Sequence, residues 1–327
     1  MLINNTTELG KYMDATGTIT FDKIKGTIEF VESTVLLPII GEKLFTEIQD
    51  AVKENTNDDD LLSLIDKCRK VIGPFTAYYF IPKAEVALTD GGATRTESNN
   101  TKTAYAYQVT NARAQRLLEG ESNIELLLKY LNDHSTNFSN WRDSDEYKEY
   151  QSLFIKTGTD FSSLYKTHQP FRNFSAIRFK MVDVEMLTIR PYITTSLFDS
   201  LKEKDQQKDS EWSAEEKLLL FYIKKSIAYY SIAAAIPHLS IRIDQNGLSV
   251  VSDNSVTINK DSEIRKDADP NKISMLINSC NASGSQYLQE AIKYITNNSE
   301  KFPDWEAPVK QTESSNNNDT RKGSFLI

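Results

Sequence analysis

Apolar positions along this chain recur at two periods. Over most of its length they return every three or four residues, the spacing that gathers side chains on one face of an α-helix. Ile24, Ile28, Val31 and Val35 keep that spacing after Phe21, and Leu61, Ile65, Cys68, Ile72, Phe75 and Tyr79 form a longer stripe. Two short stretches alternate instead, the period of a half-buried strand. Val86 and Leu88 precede Asp90-Gly91-Gly92; Leu239, Ile241 and Ile243 precede Asn246-Gly247, after which Leu248 and Val250 return. Asx-Gly between alternating runs signals a hairpin, because a tight turn needs positive φ that Gly and Asn tolerate. The pattern predicts a mainly α protein with turns at Asp90, Gly91 and Gly92 and at Asn246 and Gly247.

The whole pattern occurs twice. Val31-Glu32, Leu36, Pro38, Ile40, Leu44-Phe45 and Ile48 are matched without a gap by Val184-Glu185, Ile189, Pro191, Ile193, Leu197-Phe198 and Leu201, 153 residues further on (184 − 31). Upstream, Thr7-Glu8-Leu9 faces Thr159-Asp160-Phe161 at an offset of 152 (159 − 7). Downstream, Cys68, Ile72 and Phe75 face Ile223, Ile227 and Tyr230 at 155 (230 − 75). Gly120, Lys129-Tyr130-Leu131 and Phe138-x-x-Trp141 face Gly284, Lys293-Tyr294-Ile295 and Phe302-x-x-Trp305 at 164 (284 − 120). The offset only grows, as it does when small insertions fall in loops of the second copy. The chain therefore reads as a tandem duplication of a helical unit, each copy with one β-hairpin. The units run over residues 1–142 and 143–305, followed by a flexible C-terminal tail at 306–327.

Each unit is predicted to open with a short capped helix and an amphipathic helix, 21–33 or 174–187. A new helix then starts at Pro38 or Pro191, since proline suits a first helical turn. The long apolar helix follows, opened in the second copy by the capping-box pattern Ser213-Ala214-Glu215-Glu216. Pro74 predicts a kink in the first copy only. After the hairpin, two helices are predicted per copy, 102–118 with 122–134 and 271–281 with 285–296, each pair separated near Gly120 or Gly284. Trp141 and Trp305 read as core anchors at the ends of these helices.

Composition narrows the chemistry. The 327 residues carry a net charge of −8 with only 12 Gly and 9 Pro. No dense Lys/Arg run is present, which argues against tight nucleic-acid binding but suits a surface past which DNA slides. Cys68 and Cys280 occupy different places in the two copies, so reduced thiols in a reducing cytoplasm are expected. The first residues show no basic and apolar signal, and no apolar run approaches the ~20 residues of a membrane span. His134, His168 and His238 lack partners at ligand spacing, so neither a metal nor a cofactor is predicted. Glycine-rich phosphate loops and nucleophile elbows are missing. The acidic groups at 58–60 and 143–146 flank helix starts, where acids suit the helix dipole. Glu32 and Glu185 are the only repeated acids beside core positions, and a hydrogen bond or ion pair within each unit is their expected use. No catalytic constellation emerges, and the chain is not expected to be an enzyme.

The run from Leu36-Leu37-Pro38 through Leu44-Phe45, the helix ending Tyr78-Tyr79-Phe80-Ile81-Pro82 and the hairpin after it resemble an uncharacterised family from phages and prophages of Bacteroides-type bacteria. More remotely, the unit is similar to the head–tail connector (adaptor) proteins of tailed phages, which usually contain one such unit. The resemblance implies a virion structural protein: a homo-oligomeric ring docked on the portal or other virion proteins, with DNA passing through unbound and no membrane. It implies residence in the virion, and in the host cytoplasm during assembly. It also implies that Phe325, Leu326 and Ile327 anchor the tail to a partner. The alternative expectation is a soluble helical protein-interaction or assembly factor without catalytic activity.

Overall fold

Phe21 and Phe174 stand at equivalent places in two helical bundles joined end to end. The computed structural model describes residues 1–13, 19–89, 92–95, 105–167, 169–207, 210–239, 241–244, 247–250 and 270–305. The first bundle comprises α1 (Thr6–Met13), α2 (Phe21–Val31), α3 (Leu37–Ile40), α4 (Glu42–Lys53), α5 (Asp59–Glu85), α6 (Ala106–Asp133), α7 (Ser139–Arg142) and α8 (Asp145–Gln151), whose Tyr147 packs on the first core, so that the second core begins at Leu153 rather than at 143. The second comprises α9 (Gly158–Leu164), α10 (Pro170–Asp183), α11 (Arg190–Ile193), α12 (Thr195–Gln206), α13 (Ala214–Leu239) and α14 (Pro270–Asn297). Strand β1 (Val86–Thr89) pairs antiparallel with β2 (Gly92–Arg95), and β3 (Ile241–Asp244) with β4 (Gly247–Val250).

Two apolar cores form, one per repeat. In the first, Ile24, Ile28 and Val31 of α2 and Leu64, Cys68 and Ile72 of α5 are buried together with Leu127 and Leu131 of α6. In the second, Phe174, Ile177 and Met181 of α10 meet Leu219, Ile223 and Ile227 of α13 and Leu288, Ala291 and Ile295 of α14. Burying such side chains stabilises each bundle by roughly 1.5–3 kcal/mol per large residue. By length and composition α13 is apolar enough to cross a membrane; here its apolar residues form the middle of the second core. Trp141 is fully buried and Trp305 half-buried, each packed in the core of its own repeat. Cys68 and Cys280 are free, buried thiols.

Two local features differ from the sequence expectation. The helices separated at Gly120 and Gly284 are single helices, α6 and α14, which run straight through those glycines. A Cβ at Gly120 would lie 2.6 Å from the Phe75 ring, and one at Gly284 2.9 Å from the Tyr230 ring. The glycine lets an aromatic side chain press against the helix backbone rather than ending the helix. Nor does a new helix start at Pro38 or Pro191. The chain continues from α2 into α3 through a π-helical turn, Glu32–Leu36, and from α10 into α11 through Val184–Ile189. Such a turn absorbs one extra residue, and the proline follows it, where its missing N–H disturbs the ladder least. The true break comes three residues later, at Gly41 and Thr194, which share positive φ of 79° and 69°. Pro74 lies inside α5, which runs unbroken from Asp59 to Glu85.

Candidate functional site

Glu121 and Glu125 lie one helical turn apart on α6, so both carboxylates point the same way, toward the second repeat. Glu121 is buried, and its Oε1 accepts hydrogen bonds from Arg172 Nε at 3.0 Å and Nη2 at 2.8 Å. Glu125 straddles the start of α9: Oε1 accepts from the Gly158 N–H at 2.8 Å and Oε2 from the Thr159 N–H at 2.9 Å. A carboxylate there satisfies two N–H groups that the helix itself leaves unpaired and complements its dipole. Thr157 caps the same end by accepting from the Asp160 N–H. Gly158 is required by a close approach, since a Cβ would meet the Pro170 backbone at 2.4 Å. From α8, Glu149 pairs with Arg178 of the second repeat through its side chain and its carbonyl, and α8 is itself tied to α6 by the Gln151 amide, which donates to Asn132 Oδ1 at 2.7 Å. The two repeats are thus joined by a polar seam.

Behind these contacts lies a cleft of about 200 Å³. Trp141, Tyr150, Phe171 and Phe174 give it aromatic walls, and Pro38 and Ile39 of the first repeat close one side. Tyr147 packs edge-on against Trp141 at 5.6 Å between ring centres. The Trp141 indole N–H has no hydrogen-bond partner among the described residues. Burial raises the Tyr150 phenol, and the carboxylates of Asp160, Glu125 and Asp133 raise it further, so it remains a neutral hydrogen-bonding group. Lys156 on the rim is paired with Asp205 at 3.0 Å. Among the described residues no group of His, Cys, Asp and Glu is arranged to hold a metal ion.

The residues singled out in the sequence fall elsewhere. Asp90, Gly91 and Asn246 lie outside the described residues, as do Phe325, Leu326 and Ile327. Gly92 is the first residue of β2 and Gly247 the first of β4. Both acidic groups lie at helix starts: Asp58 Oδ1 accepts from the Asp60 and Leu61 N–H groups, while Asp145 and Glu146 occupy the first turn of α8, whose cap is Ser144, accepting from the Tyr147 N–H. Glu32 and Glu185 perform the same task in each repeat. Each accepts a buried hydrogen bond from the backbone N–H of the segment before the first helix, Leu2 at 2.6 Å and Phe154 at 2.8 Å. Sequence reasoning missed the seam acids. A signal for them existed: at the offset of 164, Glu121 and Glu125 face Ser285 and Gln289, a loss of both carboxylates that a purely internal role does not require.

One protein family matches this chain, over residues 36–151 and again over 189–315. The chain belongs to DUF6712, a family of unknown function. The two DUF6712 stretches start 153 residues apart (189 − 36) and end 164 apart (315 − 151), the offsets read from the repeated residues themselves. The family unit therefore occurs twice here. It includes α8, whose Tyr147 packs on the first core, and it starts within the π-helical turn. No curated protein and no solved structure matches the chain.

Proposed function

We propose that this DUF6712 chain is a virion structural protein, a head–tail connector or head-completion subunit that forms a homo-oligomeric ring on a portal. The observation that carries the reading is the seam: two copies of one helical unit locked by Glu121–Arg172 and by Glu125 on the start of α9, an arrangement suited to a rigid building block. The net charge of −8 supports the same reading, because an acidic wall lets a duplex slide without adhering. The resemblance of the unit to tailed-phage adaptors supports it at the level of fold analogy. In this proposal Phe325, Leu326 and Ile327 dock on the portal or a neighbouring virion protein, and the chain resides in the virion after assembly in the host cytoplasm.

Mass spectrometry of purified particles tests it. The chain is expected in mature virions, and truncation after Glu306 is expected to abolish its incorporation. A chain present in infected cells but missing from particles would favour the second reading, a soluble assembly factor.

A further inference from the structure

The seam joins unlike surfaces. On the first repeat it uses α6 and α8; on the second it uses the starts of α9 and α10. A pseudo-twofold joint would bring the same positions of both repeats together. That is not the arrangement here. The first-repeat counterparts of Gly158 and Thr159 are Thr6 and Thr7, which begin α1, and the second-repeat counterparts of Glu121 and Glu125 are Ser285 and Gln289 on α14. Neither pair takes part in the seam. When two like bodies join through unlike surfaces, one copy of each surface is left uncovered, and such contacts propagate into rings or filaments.

Among the described residues Thr7, Gln289 and Tyr192 stand exposed on these two surfaces, and the surfaces carry matching chemistry. Gln289 is exposed, and its amide nitrogen sits 3.5 Å from Ser285 Oγ, which leaves the carbonyl oxygen to accept as Glu125 does. The N–H groups of Thr6 and Thr7 are the first of α1 and have no acceptor among the described residues. Tyr192 holds the place of Ile39, at the mouth of the internal cleft, and is 55% exposed. Where Glu121 and Arg172 close the internal seam, the counterparts are Ser285 and Ile19. Both members of the ion pair have changed together, so a joint made by these surfaces would bury no lone charge.

We propose that this end of the second repeat takes a second copy of the chain. The α1 side of one copy seats on the α14 and α11 side of the next, in the geometry of the internal seam, and copies add head to tail. This deepens the connector reading and rests on it only for closure into a ring rather than a filament.

Full-length protein carrying both Thr7→Cys and Gln289→Cys, treated with a short bis-maleimide, tests the joint. The native thiols are buried and each single variant serves as the control. The double variant is expected to give a ladder of covalent multimers that lengthens with concentration, while the singles do not. Gln289→Lys sets a cation against the start of α1 and is expected to weaken self-association, measured by sedimentation, by about tenfold or more with an unchanged helical spectrum. A double variant that cross-links no better than the singles, or a Gln289→Cys single that forms dimers with itself, overturns the proposal. Multimers that never enter particles would leave the head-to-tail joint standing and sink the connector role. Particle-bound protein that never cross-links would do the reverse.

Discussion

Lys202 reaches Glu185 at 2.6 Å inside the second repeat, and its ammonium lies 3.8 Å from the Phe154 ring. At the place of Lys202 in the first repeat stands Gln49; Glu32, the counterpart of Glu185, is paired instead with the Met1 amino group, 4.0 Å away. Both carboxylates are raised chiefly by burial, and burial lowers Lys202. The same substitution should therefore act in opposite directions. Glu185→Gln strands a buried lysine and is expected to destabilise the protein by about 3 kcal/mol near neutral pH. Glu32→Gln keeps an acceptor for the Leu2 N–H and removes a buried charge, so it should be neutral or stabilising at pH 8.

The pH dependence of Glu32 has a definite sign. Its folded value is raised above the ordinary 4.5, so its contribution is fully present below that value and is lost as pH rises through the folded value. The melting temperature of Glu32→Gln, relative to the parent, should thus be higher at pH 8 than at pH 4.5. A difference in the other direction would mean that the ionised carboxylate is the stabilising form.

Gly120→Ala and Gly284→Ala should both destabilise, although alanine ordinarily favours a helix interior by about 0.5–1 kcal/mol. The new methyl would meet the Phe75 ring at 2.6 Å and the Tyr230 ring at 2.9 Å. Overpacking of this kind costs about 1–3 kcal/mol. Gly120→Ala should be the worse, because Phe75 is buried and Tyr230 only half-buried and freer to move. Denaturant unfolding of the two variants gives the comparison.

Thr194 holds φ 69° and ψ 146°, a conformation suited to glycine, and its hydroxyl is buried without a hydrogen-bond partner among the described residues. Its counterpart is Gly41, at φ 79° and ψ 157°. Relief of backbone strain predicts that Thr194→Gly stabilises the protein by about 1 kcal/mol. Gly41→Thr should destabilise it, since a Cβ would also lie 2.6 Å from Glu146 Oε2. Thermal melts of the two exchanges should move in opposite directions; a lowered melting temperature for Thr194→Gly would refute the strain argument.

Glu125→Ala removes the acceptor for the Gly158 and Thr159 N–H groups. Loss of these charge-assisted bonds is expected to cost about 1–2 kcal/mol. The loss should be local: faster hydrogen exchange at the start of α9, and a calorimetric transition that broadens or splits as the repeats uncouple. A sharp single transition with unchanged exchange would show that Glu125 does not hold the seam.

Much of the helical architecture was legible in the chain itself. The offsets of 152 to 164 pair residues that do occupy equivalent places: Leu2 with Phe154 against Glu32 and Glu185, and Phe75 with Tyr230 against Gly120 and Gly284. Duplication makes such signals strong, because each local preference is stated twice. Glycine was misread for a physical reason. Its lack of a side chain serves both a helix end and a close helix contact, and only the ring lying against α6 and α14 decides between them. The π-helical turns did leave a sign: Val31 and Leu36, and Val184 and Ile189, are buried five residues apart rather than four.

The seam was beyond sequence reasoning altogether. Periodicity states which face of α6 is buried, but not what lies against it. Glu121 meets Arg172 across 51 residues and Glu125 meets Gly158 across 33, and no local pattern encodes those separations. The sequence by itself determined that one helical unit occurs twice and which residues form each core, since hydrophobic spacing is a property of each helix alone. Only the tertiary structure decided that the two copies join through unlike surfaces, because that choice depends on how two bundles fit, through side chains far apart in the chain.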